Sequence, residues 1–326
     1  MTIKFNKVYI NDAVTITGPY ESNGPLKNYF DKSYDDLYFG EKTWEQAEKK
    51  IINESIDLLK EKIGVRNVDL YIGGDLLNQI TPSNYAASEL ESSFIGIYSA
   101  CSISTLGLII GANFIESRAL KNAITFTSSH NNGAEKQYRY PVEYGGPKPK
   151  TTTFTSTGAA SAFLSTEKKG IKIECGTLGR VIDSKTTNVF HMGAVMAKAA
   201  ADTINRHLID TKRTIDYYDL VLTGDLGIYG KEILKDYLKE KYKIILNNYN
   251  DTGTMIYDVL KQPVYAGASG PACAPLVLYS YIFDEMKKGK LKRVLLVATG
   301  ALMSPTMVNQ KLTIPAIAHA VSLEAI

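Results

Sequence analysis

Cysteine is scarce in this chain. Three residues in 326, Cys101, Cys175 and Cys273, are too few and too widely spaced for a disulfide framework or a zinc site. That pattern favours a reducing compartment. Histidine is nearly as rare, with four residues, so every imidazole that could act in catalysis or binding can be considered singly. Charge of one sign is also missing: 37 basic and 34 acidic side chains are interspersed for a net +3. Without a continuous basic stripe, nucleic acid is not an expected partner. Residues 1–11 lack the basic segment and long apolar run of a secretion signal, and no lipidation motif is present. Two uncharged runs, residues 94–115 and 262–283, are long enough to span a bilayer. Each, however, clusters Ser, Gly and Ala around a Cys and opens like a strand before switching to helical spacing. Both therefore read as buried strand–turn–helix units.

What is present is an ordinary globular composition, 44% hydrophobic and 22% charged, and an internal repeat. Asp69-Leu70-Tyr71-Ile72-Gly73-Gly74-Asp75-Leu76 matches Asp219-Leu220-Val221-Leu222-Thr223-Gly224-Asp225-Leu226, an apolar strand closing on a Gly-Asp turn. Residues 100–127 align without gaps on residues 272–299, placing Cys101 on Cys273, Leu106 on Leu278, Ile110 on Ile282 and Lys121 on Arg293. A helix precedes each Asp-Leu strand. The first carries Ile52, Ile56, Leu59 and Ile63 before Gly64, and the second runs from His191 to Leu208. Apolar strands at residues 124–127 and 294–297 alternate with helices, which predicts largely parallel sheets covered on both faces. Small-residue strands, 155–164 and 314–323, close the halves. The chain thus divides into residues 1–165 and 166–326, with the Gly, Pro and Lys cluster at 145–150 as a surface loop.

In both halves Cys stands where a strand turns into a helix. A helix N-terminus favours a nucleophilic thiolate, whereas a fully buried Cys is an inert packing residue. This turn alone leaves both readings of Cys101 open. Asp75 and Asp225 occupy equivalent turns, where an Asp either caps the following helix or offers oxygen to calcium; capping is the expectation.

Two halves with a Cys at this turn resemble the thiolase and ketoacyl-synthase superfamily. That likeness implies an α/β, thiolase-like fold in which the duplicated halves form a layered αβαβα architecture. Gly74-Asp75-Leu76-Leu77-Asn78-Gln79, Tyr98-Ser99-Ala100-Cys101-Ser102, Thr127-Ser128-Ser129-His130, the run from Gln137 to Gly145, and Ile314-Pro315-Ala316-Ile317-Ala318-His319 resemble the stage V sporulation protein AD family within it. This resemblance implies binding of dipicolinic acid, pyridine-2,6-dicarboxylate, for uptake into developing spores and release at germination. In spores that acid is stored as its calcium chelate. The resemblance also implies membrane-protein partners of the same transport complex and a peripheral place at the spore inner membrane. Relatives of this build pair as homodimers.

Acyl transfer in the superfamily needs the Cys and two second-half groups, usually His with His or Asn. Here Val264-Tyr265-Ala266 stands where thiolases carry a His-Pro step, and Gly224-Asp225 where they carry Asn-Glu. The expectation is therefore a non-catalytic binder with no resident cofactor or metal. The alternative is a diverged acyltransferase using Cys101 with His130 or His319 as base; a ligand-free scaffold is the third class. The binding residues expected are Cys101, His130, Arg139, Tyr140, Asp225, Ser269 and His319. The resemblance puts His130 at the mouth of the Cys101 pocket and His319 on a pocket wall, while His191 and His207 read as structural. Arg139 would grip one carboxylate, unless it pairs with Glu135 or Glu143 in an exposed loop, and Tyr140 would stack on the ring. The turn at residues 100–102 would give amide donors to the second carboxylate.

Overall fold

The computed structural model describes residues 1–140 and 144–326. Its strands form one continuous path that reads as the same five-strand arrangement twice. In the first half the order is Ser93–Gly96, Leu70–Gly74, Asn122–Ser129, Gly158–Ser165, Tyr9–Thr17. In the second it is Tyr249–Asp251, Leu220–Thr223, Arg293–Ala301, Pro315–Ala325, Ile171–Thr177. The two sets meet through a short antiparallel join, Tyr9 opposite Lys172 and Ile10 opposite Ile171.

Strand direction departs from the expected, largely parallel sheets. In each set the fourth strand alone runs against the other four, so its two pairings are antiparallel while the first three strands pair in parallel. Continuous apolarity reports burial on both faces, which the central strands have, and carries no information on direction. The strands Gly158–Ser165 and Pro315–Ala325 are nonetheless buried as their small residues require.

Helices layer around these sheets. Trp44–Ile63 covers the outer face of the first sheet, burying Ile52, Ile56 and Leu59, and ends at Gly64, whose φ of 67° is the left-handed stop. Met192–Thr211 and Gly227–Tyr237 cover the second sheet. Between the sheets lie Ile103–Glu116 and the helical stretch 273–287, whose Leu108, Ile109, Leu276 and Phe283 pack with strands of both halves. Each of these buried side chains contributes about 1.5–3 kcal/mol. Both long uncharged runs enter this central layer by a strand and a turn. No helix among the described residues is long and apolar enough to cross a membrane.

Candidate functional site

A pocket with about 530 Å³ of unfilled space, mouth included, opens beyond the C-terminal ends of the parallel strands, where the two halves face each other. Cys101, Arg139, Asp225 and Ser269 line it together. Leu76 and Ala134 from the first half, and Met192, Met196 and Met303 from the second, supply apolar wall. The parallel pairing of Ala268–Ser269 with Phe154–Thr155 ties the halves at its floor, and the Ser269 carbonyl accepts from the Ser156 amide at 2.8 Å.

Cys101 sits in the one-turn segment Ala100–Ser102 ahead of Ile103–Glu116, with Ala100 held at φ 46°. The turn lies directly on Gly300, where a Cβ would come within 2.5 Å of the Ser99 carbonyl. Burial, reinforced by the Asp225 carboxyl beside it, pushes the Cys101 thiol well above its ordinary range. Of the two readings of this turn, the protonated thiol therefore prevails over the helix-activated thiolate. The Ser102 amide is spent inside the turn on the Ser99 carbonyl at 3.0 Å, so it is not the free donor expected for a ligand.

The paired aspartates have diverged. Asp75 follows expectation: Oδ1 accepts from the Leu77 amide at 2.7 Å, and Oδ2 from the Ser83 amide at 3.0 Å and hydroxyl at 2.6 Å. Asp225 caps nothing. Asp251 takes that task, accepting from the amides of Leu226, Gly227 and Gly253. Asp225, at φ 56° and 1% exposure, accepts from the Thr299 hydroxyl on Oδ1 at 2.5 Å, and its Oδ2 accepts no bond among the described residues. Burial, with Asp251 nearby, pushes its pKa up to about 7, against the lowering by Thr299 and Cys101.

Arg139 ends the helix Asn131–Tyr138 and is buried, not in an exposed loop. Its guanidinium donates to Glu135, and Lys148 Nζ reaches the other oxygen of that carboxylate at 2.7 Å. Glu143, the other partner considered, lies outside the described residues. Two cations thus share one anion, and of the three groups Arg139 lines the pocket. Thr153, which also lines the pocket, has an Oγ1 without a partner among the described residues.

Three expected residues lie elsewhere. His130 is not at the pocket mouth: its Nε2 donates to the Leu37 carbonyl at 2.7 Å, with its ring between Phe39 and Trp44. Side chains alternate along a strand, so Ser128 and His130 face the outer helix while Ser129 faces the centre, its Oγ reached by the Ala272 amide. Tyr140 is turned to the surface and stacks on Phe190 and Tyr144, because the chain leaves the helix at Arg139 and its neighbours diverge. The aromatic wall is Tyr98 and Tyr138 instead. His319 lies behind the Cys turn, its Nε2 3.1 Å from Ser99 Oγ and its Nδ1 accepting from the Gly179 amide. Burial holds the pKa of His130 and of His319 down at about 4. His191 caps Met192–Thr211, and His207 sits between Thr177 and Tyr218, both structural as expected.

Sequence reasoning gave no pocket role to Tyr98, Thr153, Met192 and Met196, and placed Tyr138 only among the aromatics beside Arg139. Met192 and Met196 were legible as an apolar pair four apart beside His191; Thr153 had no signal.

Residues 1–324 match the family described as Stage V sporulation protein AD. The Bacillus subtilis (strain 168) Stage V sporulation protein AD is 45% identical over 319 residues, covering 97% of this chain and 94% of that protein. The chain belongs to the stage V sporulation protein AD family. Among solved structures, a variant of OleA from Xanthomonas campestris superposes with a TM-score of 0.63 at 14% identity, covering 99% of each chain. A cerulenin-bound OleA variant gives 0.60 at 15% identity over 98% of this chain and 97% of that one. The fold is thiolase-like, and membership of the family gives the protein a role at stage V of sporulation.

Proposed function

We propose that the pocket binds dipicolinate without chemical turnover, for its uptake into developing spores and release at germination. The observation that carries this reading is the Arg139–Glu135–Lys148 cluster, from which Arg139 brings positive charge to a pocket walled largely by Leu76, Ala134 and three methionines. A carboxylate entering such a pocket loses water and needs a charge-assisted donor, which the guanidinium supplies. The ring lies against Tyr98, Tyr138 and the methionines, taking the place first given to Tyr140. In the same reading the protein is peripheral at the spore inner membrane, held by membrane proteins of its transport complex, and is able to pair as a homodimer. Calcium is stored with the acid as its chelate; the pocket takes the dicarboxylate itself and holds no resident cofactor.

A second reading, acyl transfer, rests on Asp225 beside Cys101, where a carboxyl titrating near neutrality could accept the thiol proton. Against it, no imidazole lines the pocket among the described residues. The test is to incubate the purified protein with acyl-CoA thioesters and, separately, with dipicolinate, following Cys101 by mass and the ligand by calorimetry. Binding of dipicolinate with no adduct is expected. A stable acyl adduct would establish the transferase, and neither signal would leave a scaffold.

A further inference from the structure

The pocket contains one carboxyl oxygen with nothing bound to it. Asp225 is buried, its Oδ1 is committed to Thr299, and its Oδ2 has no partner among the described residues. The groups facing it are the Cys101 thiol from the turn and the Gly270 amide, both of which lower its pKa, the Cys273 thiol from the central helix, Asp251 from the neighbouring strand end, and Thr299. None of these is a cation. Arg139, the cation lining the pocket among the described residues, pairs with Glu135, which also holds Lys148 behind it. A dicarboxylate with one end on Arg139 brings a second carboxylate into a pocket that already holds Asp225. Two ionised carboxyls cannot share such a buried space without a proton between them.

We propose that the pocket takes up its dicarboxylate together with one proton, which resides on Asp225 Oδ2 and is donated in a hydrogen bond to the ligand's second carboxylate. This rests on the dipicolinate reading. The proton comes from solvent, an O–H bond forms at Oδ2, and the ligand remains a dianion. In the empty pocket Asp225 already titrates at about 7, and a bound anion raises it further. Below that pH Asp225 is protonated beforehand and affinity is flat. Above it each pH unit costs about tenfold in affinity, because each binding event must also recruit a proton.

Calorimetric titration of the full chain with dipicolinate tests this, run from pH 6 to 9 in phosphate and in Tris, whose protonation enthalpies differ. The expected result at pH 8 is uptake of about one proton per ligand, falling toward none at pH 6, with Kd rising about tenfold per unit above pH 7. Asp225→Asn should abolish that slope. Constant affinity from pH 6 to 9 without proton uptake overturns the proposal while leaving the dipicolinate reading intact. Rescue of pH 8 binding by calcium, in the parent and not in Asp225→Asn, also overturns it, because the free oxygen then ligates a cation. No binding at any pH in either buffer removes the dipicolinate reading and this inference with it.

Discussion

Truncating Arg139 separates the pocket's binding charge from its structural charge. Arg139→Ala removes the guanidinium from a ligand carboxylate, and a hydrogen bond to a charged group contributes about 1.5–3 kcal/mol. That corresponds to a loss of roughly 10- to 150-fold in dipicolinate affinity. The substitution also breaks a buried ion pair, since Arg139 is 7% and Glu135 0% exposed at the side chain. Removing one partner of such a pair costs about 3–5 kcal/mol when the other is left alone. Glu135 is not left alone here, because Lys148 stays at 2.7 Å. The stability loss should therefore fall at or below about 3 kcal/mol, where an exposed loop arginine would have cost almost nothing. Cys101→Ala, which removes a protonated thiol and weak donor, should reduce affinity less than Arg139→Ala. Paired calorimetric titration and urea unfolding of both variants measure the two effects. An Arg139→Ala protein that binds dipicolinate as tightly as the parent would refute the assignment of the anion contact to Arg139.

The repeat-related aspartates should respond differently to truncation. Asp75→Ala strands two buried amides and a hydroxyl and should cost about 2–4 kcal/mol in urea unfolding, whereas Asp225→Ala leaves the Thr299 hydroxyl its second acceptor, the Gly224 carbonyl, and should cost clearly less. Equal losses would contradict the hydrogen-bond assignment. Glu21, fully buried between the Thr157 amide and the Tyr257 hydroxyl, has its pKa raised by burial from 4.5 to about 7. The folded state therefore holds a proton that the unfolded state has lost. Stability from this group should fall by roughly 3 kcal/mol as pH rises from 4.5 through 7, and Glu21→Gln should flatten that slope in denaturation measured across pH 4–8.

The repeat and the layering were legible because strand apolarity and helical spacing record burial, and burial is what Leu70–Gly74 and Leu220–Thr223 share. Direction was not, since Gly158–Ser165 is as apolar antiparallel as it would be parallel. At the pocket, Cys101, Arg139 and Asp225 were reached from turns and local chemistry, and Ser269 from the resemblance to thiolases. His130 failed by one position of strand parity: Ser129 faces the interior, and the imidazole next to it faces the outer helix. Tyr140 failed because a helix ended at Arg139, turning adjacent residues apart. Thr153 Oγ1 could not be found at all. Its lack of a partner is a property of the assembled walls, not of any local run of sequence.

A duplicated chain has two Cys turns and two Gly-Asp turns, yet the open binding chemistry gathers on one side. Cys273 is fully buried, with Thr252 Oγ1 3.4 Å from its sulfur, and the Asp75 carboxylate is filled by three donors. Their counterparts are the ones left open: Cys101 lines the pocket, and Asp225, with Asp251 doing the capping, keeps an oxygen without a partner among the described residues. A buried acceptor without a partner costs stability, and folding alone gives no return for it. That cost is recovered only when something in the pocket supplies a donor. The turn that keeps its capping bonds therefore serves the fold, and the turn without them is the one on which the proposed ligand contact rests.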